Sequence, residues 1–437
     1  MASIAGDLAG WAAALEPSAE DLALAERSLA DTVAVALAAR DHPLTALAAA
    51  LDDGGRWAAA GHVLDFDDLH MTSTSHISVI CVPAVLAVAG DAGAYLAGAG
   101  VMARLGDALG WPHYTAGWHP TGTVGALGAA AGAAVALGLD PDRIAVAMAL
   151  AVPGAGGVQR AFGTDGKALQ VGFAVDAGVR AARLAAAGAG ADPTAVDAWF
   201  ALVAGRVPAG SDRGAASAEP GPGRPVEPGG PGSGRPAGSG GQEDPGGTGA
   251  LDLSGPAVPG GLAIKLYPCC YALQRPISAL ASVRDRVDPA TVTRIVLRTP
   301  ESTVAPLIHH RPETGLQAKF SLEYAAATAL LDPYPGFEAF GDAAVRRPAA
   351  RELMASVRTV LEPGGDWLLA GALTATVETA TGTVEVTEQY PPGSPQRPPT
   401  ADDLRAKIAD CTAGLSLDPI TWATAAEVLR AHLGGRS

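Results

Sequence analysis

A segment of 42 residues in the middle of the chain divides it into two ordered parts. Between residues 208 and 249, Gly and Pro occupy 22 of the 42 positions, and Val226 is the only branched apolar residue. Such a segment cannot bury enough apolar surface to offset the conformational entropy that ordering would cost. The composition therefore predicts a disordered insertion, extending over 208–261, between two folded parts of this 437-residue chain.

The two parts that flank the insertion differ in their apolar periodicity. Residues 1–207 carry apolar side chains at helical spacing, with Ala and Gly supplying most of the bulk, and predict a large all-helical domain. Residues 262–396 mix helical and strand patterns, including a helix predicted over 343–361, and predict a smaller α+β domain. Residues 397–437 follow a Pro-rich linker and are expected to return to the helical domain as C-terminal helices. The predicted fold class is mainly α.

Charge and cysteine content exclude several classes of function. The formal net charge of −15 argues against nucleic acid as a partner. The four cysteines form no Cys-x-x-Cys pair, so neither a disulfide framework nor a zinc site is predicted.

The uncharged run over 121–139 is mostly Ala and Gly, which favours a buried helix over a membrane span. No signal peptide is visible, so we expect a cytoplasmic protein without membrane contact.

Acid–base groups are concentrated in one short stretch. Three aspartates and three histidines lie within residues 62–76, and His113 and His119 follow before residue 120. Carboxylates and imidazoles are the groups that transfer protons near neutral pH. Asp, Ser and Thr also cap helices and close turns, so this pattern alone fits a polar loop before a helix equally well.

Lysine is rare in this chain. Arg outnumbers Lys by 26 to 4, and Asn is absent. This bias is typical of a coding sequence rich in G and C, in which Lys is replaced by Arg wherever only the charge matters. The remaining lysines are therefore expected where an ammonium group is needed and a guanidinium does not serve. They are Lys167, Lys265, Lys319 and Lys407.

Five motifs, in this order along the chain, resemble the MmgE/PrpD family, which includes 2-methylcitrate dehydratase, cis-aconitate decarboxylase and iminodisuccinate epimerase. The match extends over most of the chain outside 208–249. The lysine expected in a late helix is present as Lys407, and every other lysine also lies inside a motif. The motifs occupy residues 62–76, 117–125, 163–167, 265–270 and 319–324.

The resemblance implies a helical domain, an α+β lid, and a site in the cleft between them. It also implies a homodimer without a metal or organic cofactor, and a small anionic di- or tricarboxylate as substrate. The implied reaction is a dehydration, decarboxylation or epimerisation, in which a proton is added or removed at a carbon beside a carboxylate. The positions that match the family give as catalytic residues Asp65, His76, His119, Lys167, Lys265 and Tyr324, and as substrate-binding residues Gln170, Gln274, His70 and Thr121.

We expect the six catalytic side chains to converge on one pocket, with Gln274 at its rim. Lys167 and Lys265 would neutralise carboxylates, and Tyr324 would donate to a carboxylate or leaving group. His119 would act as acid or base, oriented by a carboxylate such as Asp65.

Two other interpretations remain open from the sequence. Gln170 and Gln274 stand where many family members carry His, and glutamine cannot exchange protons. These replacements are compatible with an inactive member that serves as a binding or scaffold protein. Alternatively, Asp65, Asp67 and Asp68, with His70, would be the ligands of a metal-dependent enzyme.

The composition of the insertion leads to a prediction. Replacing residues 208–249 with a short Gly/Ser linker is expected to leave Tm and any activity nearly unchanged, because the segment offers almost no apolar surface for packing. Thermal unfolding of the two forms measures this. A decrease of more than several degrees would show that the segment packs against the rest of the protein.

Overall fold

The computed structural model describes residues 3–205, 251–304, 306–363 and 370–434. The segment 208–249 lies outside these ranges. Within them, helices dominate and the strands form a four-stranded sheet, so the mainly α fold class is confirmed. No helix in the described ranges is both long and apolar enough to cross a membrane.

The first part of the chain is helical, and its helices begin where the sequence supplies caps. Ser18 and Asp21 form a reciprocal capping box before the second helix, and Asp91 and Asp140 accept hydrogen bonds from the first turns of two later helices. The helices are α1 Ile4–Ala13, α2 Ala19–Ala38, α3 Pro43–Leu47, α4 Asp53–Val63, α5 Ser78–Leu86, α6 Ala92–Thr115, α7 Pro120–Ala136, α8 Pro141–Ala151, α9 Gly166–Ala186 and α10 Ala195–Val203.

Helix α7 is the centre of this part and is buried along almost its whole length. Its small residues let neighbouring backbones approach closely. A Cβ atom at Gly128 would lie 2.8 Å from the Cβ of Met102 in α6, and one at Gly178 of α9 would lie 2.5 Å from the Cβ of Ala129. Larger side chains would force these helices apart. The Ala- and Gly-rich run is therefore a core helix, as its sequence predicts.

Helices α4 and α9 run antiparallel to each other, and α9 packs on α7. A Cβ atom at Gly54 would touch Val175 at 3.1 Å, and Asp65, just beyond α4, meets Lys167 in the first turn of α9. The C-terminus of α4 therefore lies beside the N-terminus of α9. The acid–base residues of the 62–76 stretch are placed at this end of the helical part.

The α+β part contains a mixed sheet with helices packed against it. Its strand order is β2-β1-β3-β4, with β1 and β2 parallel and the other neighbours antiparallel. The single helix predicted over 343–361 is wrong, because residues 357–361 belong to β2, whose Val357 pairs with Ile295. The elements are α11 Gln274–Ala281, β1 Val292–Pro300, α12 Gly315–Ala318, α13 Leu322–Leu331, α14 Asp342–Val345, α15 Pro348–Ser356, β2 Val357–Glu362, β3 Leu373–Thr379 and β4 Gly382–Glu388.

The predicted insertion extends too far at its C-terminal end. Residues 251–261 are ordered against the helical part, where Ala257 and Val258 are buried in its core. The Arg104 guanidinium donates to backbone carbonyls of this segment, including that of Ala257 at 2.9 Å. A buried arginine whose donors are satisfied by carbonyls fixes a segment that has few apolar side chains of its own.

The chain ends in two helices, α16 Ala401–Cys411 and α17 Ala425–Leu433, which pack on α2 and α4. Lys407 of α16 is fully buried and pairs with Asp31 of α2, which is also buried. Its Nζ also donates to the Phe66 carbonyl at 2.9 Å and lies 4.0 Å from the centre of the Phe66 ring. The ion pair fixes α16 against the stretch that carries the acid–base residues.

The buried pair gives a prediction about stability. Lys407→Met should lower the free energy of unfolding by about 3–5 kcal/mol, because it leaves the Asp31 carboxylate buried without a counter-ion. Arg405→Met, on an exposed face of the same helix, should cost less than about 1 kcal/mol. Chemical denaturation measures both. Equal costs for the two variants would contradict the role assigned to the pair.

Candidate active site

The turn that follows α4 is built around Asp65, which has a φ of +57°. Few residues other than Gly adopt this left-handed conformation, although Asp does so more readily than most. The turn ends the helix and leaves the carbonyls of Leu64, Asp65 and Phe66 without partners inside it. These carbonyls lie at the negative end of the α4 dipole and therefore attract cations.

All four lysines of the chain meet at this turn. Lys319 donates to the Leu64 carbonyl at 3.0 Å, and Lys265 donates to the Asp65 carbonyl at 2.7 Å. Lys407 donates to the next carbonyl, as described above, and Lys167 binds the Asp65 carboxylate at 2.9 Å. The lysines come from four distant segments, so the turn joins the helical part, the α+β part and the C-terminal helix.

The Asp65 carboxylate bridges two ammonium groups. Its Oδ1 lies 2.9 Å from Lys167 Nζ and 3.3 Å from Lys265 Nζ. Burial alone would raise the pKa of Asp65, but the two ammonium groups hold it well below its usual value. Burial alone would lower the pKa of Lys265, yet the nearby carboxylates raise it. Asp65 is thus a fixed anion at neutral pH and serves as the counter-ion of the lysines.

Within the described part of the chain, Nζ of Lys319 donates to the Leu64 carbonyl and pairs with no carboxylate. Burial therefore lowers its pKa to about 8, although Asp65 is close enough to oppose the shift.

Asp67 orients two histidines. Its Oδ2 lies 2.6 Å from Nδ1 of His62 and 3.1 Å from Nδ1 of His76. The two imidazole rings contact each other edge to face, with centroids 4.8 Å apart. His62 is completely buried, which lowers its pKa to about 4, whereas the His76 side chain is 12% exposed. His76 is therefore the ring of this pair that a substrate can reach.

His119 completes the cluster from the N-terminus of α7. Its ring stacks on His62 with centroids 5.6 Å apart and contacts Phe162 edge to face. Burial, followed by the charges of His62 and Lys167, lowers the pKa of His119 well below its usual value. Asp65 does not orient this ring, contrary to expectation, because its carboxylate is bound by lysines. Nδ1 of His119 instead lies 2.6 Å from Nε2 of Gln170.

Thr121 also belongs to the cluster, although its role differs from the one expected. Its hydroxyl oxygen accepts the backbone N–H of His76 at 3.1 Å, so it positions that histidine.

Tyr324 is not part of the cluster, and its expected convergence with the other residues is wrong. Its side chain is fully buried in the core of the α+β part, where the hydroxyl donates to the Ala339 carbonyl and the ring packs on Phe340. Tyr324 lies in the first turn of α13, and the register of that helix turns the ring inwards.

Gln274 and His70 also have structural partners where substrate contacts were expected. Gln274 is 1% exposed and does not line a rim, because its amide bonds the backbone of Leu266 and Tyr267. It therefore shapes the loop that carries Lys265. His70 is fully buried, between the Ser73 hydroxyl at 2.7 Å and the Pro259 carbonyl at 2.7 Å.

Three residues of the cluster were missing from the expected site. His62 and Asp67 lie in the first motif, and the only signal for them was the density of imidazoles and carboxylates there. Lys319 lies in the last motif, and the scarcity of lysine was the signal that singled it out. The partner of each residue depends on the turn at Asp65, which no pattern in the sequence predicts.

The metal ligands considered from the sequence do not come together. Asp65 binds lysines, and Asp68 accepts a hydrogen bond from Ser78 in the interior, where burial raises its pKa to about 6. A different set, His62, Asp67 and His76, has ligand atoms within 4.8 Å of one another and could hold a cation. The neighbouring ammonium groups would oppose a metal ion there by charge repulsion.

Comparisons with known proteins match both parts of the chain. The model of the MmgE/PrpD N-terminal domain matches residues 44–203, and that of the MmgE/PrpD C-terminal domain matches residues 267–418. The chain is also 28% identical over 253 residues to cis-aconitate decarboxylase from Homo sapiens, which covers 56% of this chain and 45% of that protein. The matched region thus spans about half the length of this curated relative.

The burial of His62 gives a prediction that NMR can measure. Its ring signals should titrate with a midpoint near pH 4, and a His62→Gln variant identifies them by their loss. The unfolded chain would bind this proton near pH 6.5, so His62 should make the folded state less stable as the pH falls from 6.5 to 4. A midpoint near 6.5 would mean that water reaches the ring.

Proposed function

Because this chain belongs to the MmgE/PrpD family, we propose that it is a lyase or isomerase acting on a small di- or tricarboxylate. The reaction moves a proton at a carbon beside a carboxylate, in a dehydration, a decarboxylation or an epimerisation. The similarity to an enzyme named cis-aconitate decarboxylase supports the lyase class.

The observation that carries this proposal is a surplus of positive charge in the cluster. Lys167, Lys265 and Lys319 supply three ammonium groups, whereas the carboxylates among them are those of Asp65 and Asp67. The N-terminal ends of α7 and α9 add their positive dipole ends at the same place. In a protein with a net charge of −15, such a cluster is suited to bind a small polyanion.

In the proposed reaction, His76 is the base. Its Nδ1 lies 3.1 Å from the Asp67 carboxylate, which favours the tautomer protonated on Nδ1 and leaves the Nε2 lone pair to remove a proton from the substrate carbon. The C–H bond breaks, and its electron pair moves into the adjacent carboxylate. Lys167 and Lys265 stabilise the charge that develops on the carboxylate oxygens.

The same charged intermediate has two further outcomes. In a dehydration, the neighbouring carbon loses hydroxide, which leaves as water once it is protonated. In an epimerisation, the carbon takes a proton back on its other face. A decarboxylation differs in its first step, because the C–C bond to CO₂ breaks and a proton then takes its place on the carbon.

The α+β part is proposed to act as a lid. It supplies Lys265 and Lys319, while the helical part supplies Lys167 and the histidines. The site is therefore complete only when both parts are in contact. A homodimer, as in the family, belongs to the same proposal, and light scattering at several concentrations tests it.

The placement of His76 beside the buried Asp67 carboxylate favours an enzyme over an inactive scaffold. A binding protein for carboxylates needs cations, but it does not need an imidazole aligned by a buried carboxylate as His76 is. A panel of di- and tricarboxylates in ²H₂O, with cis-aconitate first, tests the proposal by detecting solvent deuterium in substrate or product. Binding without deuterium exchange or turnover across the panel would favour the scaffold.

Lys167 gives the sharpest prediction for this function. Lys167→Arg should lower kcat/KM by about 10²-fold, because the longer planar guanidinium cannot keep its charge where the ammonium lies, 2.9 Å from Asp65. The matched control is Arg180→Lys, at an exposed position of the same helix, which should change nothing. Full activity in Lys167→Arg would show that residue 167 needs only a positive charge and not an ammonium group.

A further inference from the structure

Three hydrogen bonds form a closed ring around His119. The His119 backbone N–H donates to the Gly157 carbonyl at 2.9 Å. The next residue, Val158, donates its backbone N–H to Oε1 of Gln170 at 3.1 Å. Nε2 of Gln170 in turn lies 2.6 Å from Nδ1 of His119. The imidazole and the amide are thus held by one short backbone segment.

This ring of hydrogen bonds determines which nitrogen of His119 carries the proton. A backbone N–H can only donate, so the atom of Gln170 that faces Val158 must be the amide oxygen. The amide NH₂ therefore faces His119, and it also can only donate. Nδ1 of His119 must accept this hydrogen bond, which places the proton of the neutral ring on Nε2.

The backbone segment approaches the Gln170 amide closely, and its N–H donor opposes rotation of that amide. Gly157 has a φ of +144°, and a Cβ atom there would lie 3.2 Å from Oε1 of Gln170. The segment also pairs with the chain before His119, since Gln159 donates its backbone N–H to the Gly117 carbonyl at 2.9 Å. A rotated amide would set its NH₂ against the N–H of Val158 and leave both donors unsatisfied.

We propose that Gln170 is a positioning residue that holds His119 as a neutral ring protonated on Nε2, so that His119 serves the reaction as a hydrogen-bond donor. The role of this donor in the reaction rests on the proposed function. Its acceptor would be the substrate carboxylate that takes up charge when the neighbouring C–H bond breaks. His119 would neither gain nor lose a proton in that step.

The groups around His119 support this role. Lys167 lies close enough to oppose a positive charge on the ring, whereas Asp67 directs its carboxylate at the other two histidines. A neutral N–H group stabilises developing negative charge without having to release its proton. Glutamine suits residue 170 because, unlike histidine, it cannot exchange a proton with His119.

The first test requires no substrate. Long-range ¹H–¹⁵N spectra of the full chain, labelled at histidine, distinguish the two neutral tautomers and the cation, and a His119→Gln variant identifies the signals. We expect His119 to remain neutral with Nε2 protonated between pH 6 and 8. A cationic ring, or a proton on Nδ1, would overturn the inference even if the enzyme turned over carboxylates.

The second test reverses the polarity at residue 170. In Gln170→Glu a carboxylate oxygen still accepts from Val158, but the other oxygen requires a proton on Nδ1 of His119. The tautomer should change, and kcat should fall by about 10²–10³-fold with a smaller change in KM. Gln170→Met, which adds no charge, should give a mixture of the two His119 tautomers and an intermediate decrease in kcat.

A control separates this role from simple support of the loop. Gln159 lies in the same segment, but its side chain donates to the carbonyls of Tyr114 and Trp118 and does not reach an imidazole. Gln159→Leu should lower Tm while His119 keeps its tautomer. If Gln170→Glu left the tautomer and kcat unchanged, the inference would be wrong. If His119 has the expected tautomer but the protein converts no carboxylate, that result counts against the proposed function instead.

Discussion

The structure depends on the turn after α4, where the carbonyls of residues 64, 65 and 66 each receive a lysine ammonium group. A helix C-terminus normally finds such partners in water or in a glycine-containing cap. Here the partners come from the α+β part and the C-terminal helix, and Lys167 adds a fourth cation through the Asp65 side chain. One turn therefore joins segments far apart in sequence and also concentrates the charge of the site.

This arrangement explains how an acidic protein can present a cationic cluster. Burying an ammonium group is costly unless it is paired and hydrogen-bonded. The turn supplies carbonyls for that purpose, which carry no formal charge, so the positive charge of the lysines is only partly neutralised. Lys407 differs because it forms an ion pair with the buried Asp31 carboxylate. One lysine is thus structural, while the other three leave a net positive charge beside the imidazoles.

The three imidazoles of the cluster differ because their Nδ1 atoms meet different partners. Nδ1 of His62 donates to the carboxylate of Asp67, and Nδ1 of His76 lies 3.1 Å from it, whereas the amide of Gln170 donates to His119. A carboxylate makes the opposite nitrogen an acceptor, and an amide NH₂ makes it a donor. The partner of Nδ1 thus decides whether Nε2 of each imidazole accepts or donates a hydrogen bond, although the three rings lie close together.

The sequence by itself determined the mainly α fold, the core position of the Ala- and Gly-rich helix, and the residue types of the site, because periodicity and rare residues are local properties. It placed Asp65, His76, His119, Lys167 and Lys265 at the site, but it also placed Tyr324 and Gln274 there. Only the tertiary structure decided which polar group faces which. A side chain's partner depends on helix register and on one left-handed residue, and both are fixed by contacts between segments hundreds of residues apart.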